Sequence, residues 1–196
     1  MTIEEQSVKV NWKETKEIID FYKSNKLYLD NYDLISDQRK ISNLIDYKLH
    51  YCNALLETSE LDQMTPILRH VSSLLSKLDK DHWNYNDSEN LMNFLNGVIL
   101  SQKKKYKESY SIFSELVKIN PNNYNYRDWC NHARLGMYNW MFNSLSFFGA
   151  IVLVADILFG LEEKLLFDVG LIGVLILGAS YIAQKGLNEY LKRKKG

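Results

Sequence analysis

Proline is almost missing from this chain: Pro66 and Pro121 are the two among 196 residues. Long helices can therefore run unbroken, and no stretch alternates apolar and polar residues far enough to suggest a sheet. Cysteine is nearly as scarce. Cys52 and Cys130 stand alone, without a CxxC partner or ligand spacing, which excludes a disulfide frame and a zinc site. Net charge is missing too, with 24 basic and 24 acidic residues. That balance is uneven, because residues 185–196 hold five basic side chains against one acidic, leaving the rest negative. A negative remainder argues against nucleic-acid binding. The opening MTIEEQSVKV is too polar for a cleavable signal. No GxSxG, HExxH or phosphate-loop glycine pattern occurs, and His50, His70 and His82 show no carboxylate or cysteine at metal-ligand spacing. No cofactor and no metal are expected.

What is present is a long apolar stretch over 140–187. It holds two runs, NWMFNSLSFFGAIVLVADILFG and LLFDVGLIGVLILGASYIA, joined by GLEEK. A spanning helix needs about 20 mostly apolar residues, and each run is close to that. Hydrocarbon offers no hydrogen-bond partners, so both must be helical if they cross. Lys185 and Lys192-Arg193-Lys194-Lys195 follow the second run, while the short loop carries two Glu and one Lys. Positive flanks stay inside. The expectation is a transmembrane hairpin in the inner (plasma) membrane, with both termini and the basic tail 188–196 cytoplasmic. A buried hairpin in a soluble core is the alternative.

Asp156 and Asp168 are ionisable groups inside these runs and so are candidates for lining a pore mouth in an oligomer. Both also lie near enough to the helix ends to reach water. Gly170, Gly173 and Ser180 share a face of the second run that permits close helix packing, on itself or in a homo-oligomer.

The chain before the hairpin reads as helix after helix. Asn11 with Glu14 suggests a capping box ahead of Ile18, Ile19, Phe21 and Tyr22, and 26–36 reads as a turn or short helix completing an N-terminal segment, 1–36. From Asp37, a stripe of Ile41, Leu44, Ile45, Leu49, Cys52, Leu55 and Leu56 follows helical spacing. Thr65-Pro66 reads as an N-cap and first-turn proline for the next helix. Asp87-Ser88 reads as another start, and Tyr126 to Met141 as a further helix running into the apolar stretch.

Residues 90–123 read NLMNFLNGVILSQKKKYKESYSIFSELVKINPNN. Small residues fall at the eighth and twentieth places (Gly97, Ser109), aromatics at the seventeenth and twenty-fourth (Tyr106, Phe113), apolar residues at the eleventh and twenty-seventh (Leu100, Leu116), and Pro121 at the thirty-second. This segment resembles a tetratricopeptide repeat (TPR), a helix–turn–helix unit of about 34 residues. It departs from the pattern at Asn93, where an aromatic is usual, and at Lys104, where glycine is usual. The second helix of an earlier pair overlays this one at an offset of 41, with Val71 over Ile112 and Leu75 over Leu116. The resemblance implies an all-α fold of stacked helix pairs over 37–139, with Gly97 at a close crossing and Tyr106 and Phe113 filling the angle. It also implies a groove lined by the first helices that holds a peptide or partner protein. Tyr47, Tyr51, Asn53, Asn93 and Asn96 are the candidate groove residues. On this reading the chain is a membrane-anchored adaptor or scaffold and not an enzyme.

A second resemblance is narrower. Arg127 and His132 have the Arg-x4-His spacing of HEPN ribonucleases, which is also similar to a degenerate motif in some CRISPR-associated membrane proteins. There Arg would stabilise phosphate charge and His would move protons. It implies the competing function, an oligomeric membrane-pore effector of anti-phage defence whose helical domain senses a trigger, or a nuclease.

Overall fold

The computed structural model describes residues 2–30 and 37–159, together with 174–175, 178–179, 181–182 and 185–186. The described residues are all-α. Seven helices follow one another: α1 (Ile3–Ser7), α2 (Thr15–Asp30), α3 (Gln38–Glu57), α4 (Leu61–Leu75), α5 (Tyr85–Gln102), α6 (Tyr106–Ile119) and α7 (Tyr124–Phe159). Each of α2 to α6 packs on the next, and α3, α5 and α7 also touch in turn, whereas α4 and α6 do not. α3, α5 and α7 therefore share one side of the array.

Two connections repeat. Thr58 caps α3, Ser59 takes a left-handed backbone (φ 63), and Glu60 leads straight into α4. Lys103, Lys104 (φ 60) and Lys105 do the same between α5 and α6. In both, the last residue donates its N–H five residues back (Glu60 to Leu55 O, 2.8 Å; Lys105 to Leu100 O, 2.9 Å). The middle residue donates to Leu56 O in one and Ser101 O in the other. This paired closure satisfies the orphan carbonyls at a helix end. It also fixes the register between the pairs at Ser59 to Lys104, an offset of 45. Met64, Leu68 and Val71 then stand over Ser109, Phe113 and Leu116, and all six are buried. The offset of 41 expected from apolar residues alone does not fit, because it takes the two closures out of register and sets exposed Ser72 over buried Phe113.

The same closure starts α4 at Leu61, four residues before the expected Thr65 cap, so Pro66 lies inside the helix. Its missing N–H leaves the Asp62 carbonyl without a helical donor. Near the N-terminus the capping box is Thr2 with Glu5, not Asn11 with Glu14. Asn11 instead donates its N–H to the Glu17 carboxylate at 2.8 Å. Asp37, from which the expected stripe runs, caps α3, accepting from the backbone of Arg39 and Lys40.

The core has two parts. The larger joins α1 to α5 around Leu29, Ile45, Leu49, Leu55 and Met64, and the smaller joins α5 to α7 around Val98, Phe113, Leu116, Cys130 and Ala133. An ideal Cβ at Gly97 would lie 2.8 Å from Phe113 Cζ, so only glycine admits that ring. Ser109 Oγ donates to Gly97 O at 2.9 Å across the same crossing. Tyr106 does not fill this angle. Its ring leans on α7, where a Cβ at Gly136 would sit 2.3 Å from Cδ1.

The helix α7 is continuous across the expected boundary at 139, reaching about 54 Å at 1.5 Å per residue. Its first half is buried at Cys130, Ala133 and Gly136. Beyond, Met141, Leu145, Phe147, Phe148, Ile151 and Val154 are exposed. Among the described residues no helix is long and apolar enough to cross a membrane. Asn139, Asn143, Ser144 and Ser146 interrupt the apolar residues of the described part of the first run. Asp168, Gly170, Gly173, Ser180 and the tail 188–196 lie outside the described residues, as does the side chain of Asp156.

Candidate functional site

The shared side of α3, α5 and α7 is where a groove can form, and its lining differs from the residues picked by sequence. Tyr47 is half-buried beneath the N-terminal segment, stacked on Trp12 at 5.5 Å and donating its hydroxyl to Ser7 Oγ at 2.9 Å. Tyr51 is buried and stacks on Tyr22 of α2 at 3.9 Å. Both serve the packing of α1 and α2 onto α3 and line no groove between α3, α5 and α7. Asn53 is exposed on α3, and Asn93 and Asn96 are half-buried on α5.

The packing of α2 on α3 carries a charge that the sequence reading passed over. Lys48 is 1% exposed, and its Nζ lies 3.1 Å from both Asp30 Oδ1 and Tyr22 Oη. A buried ammonium without such partners would cost several kcal/mol, on the order of a lost ion pair. Burial first, then the Asp30 carboxylate, pushes the Tyr22 hydroxyl well above its ordinary range. A cleft of about 480 Å³ opens here between α2, α3 and α4, with Lys23, Lys26, Gln63 and His70 at its walls. Its innermost charge, Lys48, is already answered by Asp30.

A second cleft, about 280 Å³, lies between α3 and the start of α5. From α3 come Asp46, Leu49 and His50; from the approach to α5 and its first turns come Trp83, Asn84, Asp87, Ser88 and Leu91. Asp46 and His50 are one helical turn apart and so point the same way. Asn84 Nδ2 donates to Asp46 Oδ1 at 2.7 Å, which fixes the carboxylate. Burial raises the Asp46 pKa against the lowering effects of Asn84, His50 and His82. Burial likewise lowers the His50 pKa, opposed by Asp46. Trp83 is 79% exposed. Ser88 is only 3% exposed, and its Oγ has no hydrogen-bond partner. Further along α5, the rings of Phe94 and Tyr126 of α7 lie 5.7 Å apart. The signal for this site was present in the sequence as Asp46-x3-His50 followed by Trp83-Asn84, but only the packing of α3 on α5 joins the two segments.

Arg127 and His132 both sit on α7, where five residues subtend roughly 140° of the helix surface. They diverge. His132 presents an edge-on contact to Trp129 at 5.5 Å and to Tyr106 at 6.4 Å. Cys52 is buried, and burial pushes its thiol up to about 12. That keeps it protonated and unreactive. Cys130 is buried and shifted the same way. Among the described residues, no group of three or more His, Cys, Asp or Glu can hold a metal ion.

No protein-family model, curated protein or solved structure matches this chain.

Proposed function

We propose that this chain is a membrane-anchored adaptor: a TPR-like helical domain held at the inner face of the plasma membrane by a helical hairpin within 140–187, which binds a partner protein along α3, α5 and α7. The observation that carries the reading is the change of character along α7. One unbroken helix leaves a packed core and continues with Leu145, Phe147, Phe148, Ile151 and Val154 exposed over roughly half its circumference. So large an apolar surface needs a non-aqueous cover, and the run that follows it in sequence is as apolar. The TPR-like part of the reading is supported by Gly97 against Phe113, by buried Ser109, and by the left-handed backbone at Lys104, the place where the resembled repeat usually carries glycine.

Topology tests the anchor. The chain should stay in the membrane fraction after alkaline carbonate extraction. Reporter fusions at Gly196 should read inside, and fusions within 162–164 outside. Release by carbonate, or an outside signal from Gly196, would overturn it. A cation conductance in liposomes that falls with Asp156→Asn and Asp168→Asn would replace the adaptor by the pore-forming effector.

A further inference from the structure

We propose that the cleft between α3 and α5 takes the guanidinium of an arginine on the partner peptide, stacked on Trp83 and hydrogen-bonded to Asp46 and Asp87. The proposal rests on the adaptor reading for the source of the arginine, while the chemistry is carried by the cleft itself. Two carboxylates face one small space, and no lysine or arginine is among its described lining residues. His50 does not cancel them at neutral pH, since burial holds its pKa below the ordinary value.

The second observation is independent of charge. Ser88 Oγ lies nine-tenths buried in the wall of the cleft with no partner, an acceptor waiting for an N–H donor. An unanswered buried hydroxyl is unfavourable, and a ligand donor would relieve it. The third is Trp83, the most exposed tryptophan described, placed at the same cleft. An indole face left to solvent beside two carboxylates suits a flat cation.

Guanidinium is favoured over ammonium because it is planar, stacks on an aromatic face, and presents five donors in a fixed fork. A divalent metal is disfavoured by the lack of a three-ligand group among the described residues. Asn84 supports the site from behind by holding Asp46 Oδ1, so the carboxylate is oriented before the ligand arrives.

The test uses the full chain in detergent micelles, labelled with fluorotryptophan, and the probe peptide acetyl-Gly-Gly-Arg-Gly-Gly-amide. Its four tryptophans give four fluorine resonances, and Trp83→Phe identifies the one that matters. The arginine peptide should shift the Trp83 resonance saturably. The peptide with neutral citrulline in place of arginine should not, and the lysine peptide should bind several-fold more weakly. Asp87→Asn, an exposed position unable to disturb the core, should weaken binding about tenfold, as loss of one charge-assisted contact implies. Asp46→Asn should do at least as much. A silent Trp83, an equal response to citrulline or lysine, or indifference to both Asn variants would overturn the site. Flotation with membranes alongside a silent Trp83 removes the arginine site and leaves the anchor standing, while the reverse pattern removes the anchor and keeps the site.

Discussion

The pair α3–α4 and the pair α5–α6 turn through the same three-residue connection yet fill the angle between their helices differently. In the second pair the first helix gives up its side chain, at Gly97, and the second supplies a full aromatic ring, Phe113. At the corresponding places the first pair has Cys52 and Leu68, both buried. Volume has moved across the contact while the backbone course is kept. Likewise Ser109, whose hydroxyl reaches Gly97 O, corresponds to Met64, which fills the same level with apolar bulk. The lesson is that a shared turn and a shared pattern of burial define the repeat, and residue identity does not. Cores accept such exchanges as long as total volume and patterning hold.

The hardest way to break the equivalence is to empty the angle. Phe113→Ala should cost about 3–5 kcal/mol and Leu68→Ala about 2–5 kcal/mol. Urea unfolding of the chain followed by circular dichroism reads both. If only Phe113 proves sensitive, α3–α4 is not the structural counterpart of α5–α6.

A gentler change sharpens the comparison. Importing the first pair's residues into the second gives Gly97→Cys and Phe113→Leu. The first alone places a Cβ 2.8 Å from the Phe113 ring and should overpack by about 1–3 kcal/mol. The second alone leaves a void. Together they should cost less than their sum, with a coupling of about 0.5–3 kcal/mol from a double-mutant cycle. Strict additivity would show that the two sites do not share a contact.

These pairings also show what was legible in the sequence. The α3 stripe from Asp37 follows from spacing and residue type, because periodicity reports which face of a helix is covered, while the crossing at Gly97 follows from the resemblance to a tetratricopeptide repeat. Periodicity does not report by what. Tyr47 and Tyr51 have the look of groove aromatics, but α1 and α2 lie over them, and nothing local to α3 announces that cover. Lys48 is the sharper case. A lysine amid a helix reads as solvated, and only Asp30, eighteen residues away on α2, explains its burial. The Asp46, His50 and Trp83 cleft is hidden for the same reason, since it joins residues more than thirty apart. The connections are hidden for another reason. Ser59 and Lys104 carry no mark of a left-handed backbone, so by sequence Pro66 reads as the helix start and the offset as 41.

The smallest expected effect lies in those connections, and it tests the comparison where the two pairs are most alike. A left-handed backbone costs an L-residue about 1–2 kcal/mol relative to the right-handed helix. Glycine escapes that cost but brings more chain entropy to lose on folding, on the order of 0.5–1 kcal/mol. The difference favours glycine at both Ser59 and Lys104, whose φ values are 63 and 60. Ser59→Gly and Lys104→Gly should therefore each stabilise the chain by about 0.5–1 kcal/mol, and equally, because the closing hydrogen bonds are the same. Lys104→Ala keeps the steric clash and should gain nothing, which separates a backbone effect from loss of the lysine charge. The readout is the urea midpoint of each variant at unchanged slope. Stabilisation at one site and not the other would mean that the two turns, though alike in dihedral angle, bear different loads in the folded chain.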